Sequence, residues 1–251
     1  SIWDANVVGA RVVSVEETPT THVLGLDRVA PLLHTSGTVG VVTEVTMPTV
    51  PARRYVEAVA TFPTFASACA FVHEVSVDTT FVHRVVTAQE GPLLPAFRKL
   101  PPLLASGVGG GVMMLVDEAQ VAAITAVAAR GHGELTVWQP WDLEHREHPS
   151  IAGMVYGHRM LWVKKLFPDA AFLHVYFSPD DPLPEVRALK ERFGDRVLVE
   201  MKYIRSEWLR GAMGFAGPGT LPASVITVRD GDQDGPLAEV MAFCAHAGIA
   251  F

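Results

Sequence analysis

The stretch HTSGTVGVVTEVTMPTVPA, residues 34–52, sets two glycines and several small hydroxyl residues directly before an alternating apolar run. Glycine lets the backbone approach a neighbour closely, and its free N–H groups can serve as donors. The β-branched run that follows holds that edge stiff. Two readings stand side by side: a tight turn before a strand, or a backbone cradle for something flat or anionic. Residues 38–50 are predicted as a strand. Val41, Thr43, Val45 and Met47 take one face, and Val42, Glu44 and Thr46 the other. Pro48 and Pro51 end it and mark a domain boundary, with residues 1–51 before it and 52–251 after it.

Upstream, ANVVGARVVSV (5–15) reads as a strand with Gly9 at a bulge or a close approach. Downstream the grammar changes to alternating strands and helices. Strands are expected at 56–62, 81–88, 112–118, 134–140, 170–178, 196–204 and 224–230. Helices are expected at 65–75, 93–104 (interrupted by Pro101 and Pro102), 118–131, 150–167, 183–194 and 236–248. Gly131 and Gly194 are the natural stops of two of them, and Ile249–Phe251 begins a further strand. Because the strands alternate, one sheet face is expected to be wet or covered differently. That predicts an α+β layer, with helices on one face of a largely antiparallel sheet. No strict sequence repeat is visible.

The bulk numbers narrow the function. The 251 residues are 49% apolar, enough for a sizeable core. A net charge of -7 without a basic run excludes the phosphate-neutralising surface that nucleic acid requires. No apolar run reaches the roughly 20 residues that span a bilayer, so no membrane insertion is expected. Cys69 and Cys244 lie far apart in apolar helical contexts and read as reduced core thiols, which favours a cytoplasmic compartment. The chain opens Ser-Ile-Trp-Asp and closes on the apolar run CAHAGIAF. It reads as a piece of a longer protein with an incomplete C-terminus.

Three elements in order carry a resemblance. They are ANVVGARVV (5–13), then Gly25, Asp27 and Leu32 or Leu33, then Gly37–Thr38–Val39–Gly40–Val41–Val42–Thr43–Glu44–Val45 before a proline-ended strand. The run resembles the second half of the FAD-binding domain of FAD-linked oxidases, the vanillyl-alcohol oxidase/p-cresol methylhydroxylase-type family. There the pattern looks like NVLG, then G-[YF]-D-L, then S-E-G-T-L-G-[IV]-[IV]-T-E. Thr35 and Ser36 depart from the family's Ser-Glu, and His34 replaces a common glycine. The likeness is strong over 5–51 and weaker beyond. It implies the end of a p-cresol methylhydroxylase-type FAD-binding domain followed by a ferredoxin-like α+β substrate or cap domain. The implied cofactor is FAD. The residues implied to meet it are Asn6, Gly9, Gly37, Thr38, Gly40, Val41 and Val42, with Thr43 beside them. The implied activity is oxidation of a hydroxyl group on a small-molecule substrate, most simply a 2-hydroxy acid such as lactate or glycolate. The family's glycine-rich pyrophosphate loop has no counterpart. The one glycine cluster, SGVGGGVMMLV (106–116), runs into a strand and lacks the helix N-terminus that would hold a phosphate. The chain by itself is therefore expected to bind FAD poorly. The alternative is a flavin-free subunit that keeps the fold for assembly, as a homo-oligomer or beside a partner subunit.

Such an oxidase needs a base for the substrate hydroxyl and a cation for its carboxylate. GHRMLWVKK (157–165) is the richest run, so His158 and Arg159 are the catalytic candidates, with Trp162 on the face of His158 and Arg159 as a bidentate carboxylate clamp. His174 and Tyr176 share one strand face, and Tyr203 and Arg205 close another strand. His145 and His148 stand at H-x-x-H without placeable further ligands, and no metal is expected. RDGDQDG (229–235) lacks both histidines of the metal-linked HxGDGNxH motif of some family members.

Overall fold

A computed structural model describes residues 7–32, 35, 37–98, 100, 104, 108–141, 150–155, 159–205, 211, 214, 215, 219–231 and 235–251. The chain forms two units. One comprises Ser1–Ala52 with Arg205–Gly219, and the other Arg53–Ile204 with Thr220–Phe251.

The smaller unit is built on a three-stranded antiparallel sheet. Its strands are β1 (Gly9–Val13), β2 (Thr21–Gly25) and β3 (Val41–Thr46), in the order β2-β1-β3. A short helix, α1 (Leu26–Val29), follows β2. Strand β2 was not expected. Its residues THVLG are mostly exposed and show no apolar face, so pairing with β1 rather than periodicity makes it a strand. The predicted strands 5–15 and 38–50 shorten to β1 and β3. The simple alternation read across 41–47 also fails. Arg11 pairs with Glu44 but Val12 pairs with Val42, so the register shifts and Thr43 is the extra residue of a bulge. All six residues of β3 are exposed. Val7, Ala10, Val12 and Val29 form the small core.

The larger unit carries an eight-stranded sheet. Its first half contains β4 (Tyr55–Phe62), α2 (Phe65–Val77), β5 (His83–Glu90), β6 (Gly110–Asp117), α3 (Val121–Arg130) and β7 (Glu134–Pro140). The strands lie in the order β7-β4-β6-β5 and neighbours run antiparallel. That is the split β-α-β arrangement of a ferredoxin-like fold. The second half repeats it with β8 (Ala171–Tyr176), α6 (Leu183–Phe193), β9 (Val197–Leu198), β10 (Glu200–Arg205), β11 (Thr220–Val228) and a last helix, α7 (Pro236–Ala247). The order there is β10-β11-β8, and Tyr176 bridges Ala250 where a fourth strand would lie. The halves meet edge to edge through antiparallel β5 and β10. The repeat is structural, and the sequence does not show it.

Local signals start and stop these helices, and Gly131 does so where the sequence placed a stop. Thr64 caps α2, its side chain accepting from the Ser67 N–H at 3.1 Å. Gly131 caps α3, although the left-handed residue is His132 at φ 58°. Gly248, at φ 74°, closes α7 and returns the chain so that the Ile249 N–H meets the Cys244 carbonyl at 2.9 Å.

The one-sided layer is corrected by the structure. Helices α2, α3, α6 and α7 cover one face, where Val112, Met114, Val116, Ile124, Val186, Leu189 and Val240 meet. The opposite face is covered too. A 3-10 turn at Gly91–Ala96 and two short helices, α4 (Ile151–Val155) and α5 (Arg159–Lys164), pack on Tyr55, Val59, Met113 and Leu115. Strand β6 is buried along its whole length because its side chains find an apolar layer on both sides. The helix predicted at 93–104 is this 3-10 turn, which has Pro92 and Pro95 within it. The helix predicted at 150–167 is the pair α4 and α5. The predicted strand 196–204 is broken at Val199, whose N–H turns aside to the Glu90 carboxylate at 2.9 Å. The strand predicted from 224 starts at Thr220, and Ile249–Phe251 makes one bridge instead of a strand.

The glycines at 109–111 serve close packing. A Cβ on Gly109 would lie 2.3 Å from the Pro63 carbonyl, and one on Gly110 would lie 2.8 Å from the Ala68 Cβ. They let helix α2 and its lead-in press onto the start of β6.

Candidate functional site

In the smaller unit the turn before β3 is tied by hydroxyls. Thr38 donates from both its N–H (3.0 Å) and its Oγ1 (2.7 Å) to the Thr35 carbonyl, and Thr35 Oγ1 donates to the Leu32 carbonyl at 3.0 Å. Gly37 sits at φ 80° with open space where a Cβ would be. Gly40 sits at φ 146°, and a Cβ there would lie 2.7 Å from Val12 Cγ1 and 2.9 Å from the Val13 carbonyl oxygen. Only glycine fits that contact. Val39, Val41 and Val42 are exposed at 50%, 56% and 45%. The structure thus gathers Gly37, Thr38, Gly40, Val41 and Val42 at one end of β1. Gly9 lies at the other end, paired with Gly25 and Thr46, about 14 Å away along the strand. Asn6 lies outside the described residues, as do Leu33, His34 and Ser36.

In the larger unit a polar cluster lies on the sheet face opposite the four-helix layer. Strand alternation builds it: Thr87 and Gln89 on β5 stand opposite Lys202 and Glu200 on β10. Glu200 is fully buried. Its Oε1 accepts from Gln89 Nε2 at 2.8 Å and from Thr87 Oγ1 at 3.2 Å. Its Oε2 faces two cations, Arg159 Nε at 3.3 Å and Lys202 Nζ at 3.4 Å. Arg159 starts α5, and its side chain is only 3% exposed. Its Nε also donates to Gln89 Oε1 at 3.2 Å, and its Nη2 donates to Thr227 Oγ1 at 3.3 Å. Its Nη1 is buried and has no hydrogen-bond partner among the described residues. Burial pulls the guanidinium below its ordinary pKa, and Glu200 opposes that pull. His174, on β8 opposite Val225 of β11, stands in the same field. Desolvation first, then the Lys202 ammonium, lower its pKa; Glu200 works against them, and Arg159 adds to the lowering.

A second buried carboxylate, Glu57 on β4, accepts from Gln139 Nε2 at 2.6 Å, from the Ile151 N–H at 2.9 Å and from the Ser150 hydroxyl. It fastens the start of α4 to the sheet, as Glu200 fastens the start of α5.

Of the sequence candidates, Arg159 is in this cluster and His174 stands beside it. His158 lies outside the described residues, as do His145 and His148. Trp162 packs with the second apolar layer, under Lys165 Nζ at 3.9 Å from its ring centroid. Tyr203 faces the other way. Its hydroxyl meets His73 Nδ1 at 2.7 Å, and burial raises its phenol, with the Cys69 thiol adding to the effect. The bidentate clamp expected of Arg159 has two of its three nitrogens already engaged. Sequence reasoning missed Thr87, Gln89, Glu200, Lys202, Thr227, Glu57 and Ser150. The available signal was polar residues two apart inside apolar strands, in VVTAQE and LVEMK. Among the described residues, no group of His, Cys, Asp or Glu is placed to hold a metal ion, and no helix is long and apolar enough to cross a membrane. Cys69 and Cys244 are both free and buried.

Strand order and antiparallel pairing define a mixed α+β fold that is shared with solved structures. Among solved structures, the chain is similar to alkyldihydroxyacetonephosphate synthase crystallised in P212121. The TM-score is 0.57 and the identity 13%, over 98% of this chain and 49% of that one. It is similar to the same synthase in P1 at a TM-score of 0.51 and 13% identity, over 90% of this chain and 46% of that one. The chain thus spans about half the length of the solved structures it matches. No protein-family model matches it, and no curated protein is similar enough to match it.

Proposed function

We propose that this chain is part of an FAD-dependent oxidoreductase that oxidises a hydroxyl group, most simply on a 2-hydroxy acid such as lactate or glycolate. The observation that carries the reading is the fold likeness over 98% of the chain, joined to the motif order Gly37-Thr38-Val39-Gly40-Val41 on an open turn. The turn fits one edge of a flat ring. Gly37 leaves open space, and Val41 and Val42 offer exposed apolar surface. On the same sheet the Arg11 guanidinium is paired with Glu44 at 2.9 Å. The backbone of Gly37, Thr38 and Gly40 and the side chains of Val41 and Val42 would therefore hold the ring, and the rest of the cofactor needs other chain. The flavin, when bound, accepts the electron pair of the alcohol. This chain's own contribution is to hold the ring edge.

The test compares visible absorbance spectra of the full-length parent protein and of this chain, each after incubation with FAD. A flavin spectrum in the parent that this chain loses supports the reading, and bleaching by lactate or glycolate identifies the substrate class. No flavin in either protein refutes it in favour of the flavin-free subunit, for which the exposed valines of β3 would serve as an assembly surface.

A further inference from the structure

We propose that Arg159, Lys202 and His174 form a receiving site for one carboxylate group, bound through a single oxygen at the guanidinium and a second contact at the ammonium. The inference deepens the oxidoreductase reading by naming the group that this face holds, and only the identity of the carboxylate's owner rests on that reading.

Charge is the first ground. One carboxylate, Glu200, faces two cations within 3.4 Å of the same oxygen, so among the described residues the cluster keeps one net positive charge, with Arg159 and Glu200 themselves out of water. An unneutralised charge there is costly, and an arriving anion relieves it. Hydrogen bonding is the second ground. Glu200, Gln89 and Thr227 use Arg159 Nε and Nη2, while the Nη1 hydrogens have no acceptor among the described residues. A buried donor left unpaired costs about 1–3 kcal/mol, and a carboxylate oxygen is the acceptor it lacks. The third ground is access. Exposure rises from 3% at the Arg159 side chain to 21% at Lys202, and His174 is open to solvent. A ligand thus meets the histidine and the ammonium first. Because only one guanidinium nitrogen is free, the two-point Arg–carboxylate pairing is not available, and Lys202 must supply the second contact.

The experiment is an NMR titration of the 251-residue chain with sodium glycolate, following the His174 ring signals at constant ionic strength. Sodium chloride and inorganic phosphate serve as comparison arms, and His174→Gln assigns the signals. Saturable glycolate-dependent shifts are expected, with affinity falling about tenfold or more in Lys202→Met. Lys202 is partly exposed, so this variant keeps the fold, and the remaining amide signals check that. No saturation beyond the chloride arm overturns the site, as does unchanged affinity in Lys202→Met. Tighter binding of phosphate than glycolate overturns the carboxylate assignment. The readout needs no flavin, so its failure leaves the oxidoreductase reading standing, and failure of flavin binding leaves this site standing.

Discussion

Replacing Arg159 with methionine strands a buried carboxylate. The Glu200 side chain has no exposed surface, and Arg159 Nε is one of its two cationic neighbours. Breaking a buried pair from one side costs about 3–5 kcal/mol. Lys202 remains 3.4 Å from Oε2, and Gln89 and Thr87 still donate to Oε1, which places the loss near the lower end, about 3 kcal/mol. Two further acceptors, Gln89 Oε1 and Thr227 Oγ1, also lose their donors. For a chain of this size each kcal/mol moves the midpoint by roughly 2–4 °C, so Arg159→Met should melt about 6–12 °C lower. Adding Glu200→Leu removes the stranded charge, and Lys202 can swing to water. The double variant should recover about 2 kcal/mol over Arg159→Met, because partners in one network do not add. Thermal and urea unfolding of the chain, followed by far-UV circular dichroism, measure both. An Arg159→Met variant within about 1 kcal/mol of the wild type would refute the account of the cluster. So would a double variant less stable than the single one.

Two further outcomes follow from positions in the two units. Gly40→Ala should cost about 2–3 kcal/mol, since its Cβ meets Val12 and the Val13 carbonyl at a positive φ, whereas Gly37→Ala, in open space, should cost about 1 kcal/mol. Equal costs in urea unfolding would contradict the packing described for the turn. The pKa of His174 is lowered in the folded chain, so the unfolded chain binds more protons and stability rises with pH. That contribution is full above the ordinary histidine value of about 6.5 and is lost as pH falls through the folded value. His174→Gln should therefore flatten the acid side of the stability profile, and an unchanged slope would count against the desolvation and the Lys202 charge described at His174.

What the amino-acid sequence determined by itself is what short-range physics controls. Glycine stops, helical apolar spacing and two-residue alternation placed most strands and helices of the larger unit, because each depends on neighbours within a turn or a pleat. Antiparallel pairing followed from the alternation of the strands. The turn at Gly37–Gly40 was legible for the same reason, since its backbone needs glycine wherever the chain goes next. Tertiary structure decided everything that rests on distant partners. THVLG became a strand only because β1 pairs with it, and the bulge at Thr43 came from that same sheet's register. The doubled ferredoxin-like plan depends on β5 meeting β10 across the seam. The covered second face depends on α4 and α5; a helix was expected over 150–167, but no local pattern says which sheet face it covers. The polar cluster was invisible for a related reason. Gln89 and Glu200 stand 111 residues apart and Arg159 lies between them in the chain, so no local pattern relates them. Only sheet register sets them side by side, and only the helix laid over them takes their charges out of water.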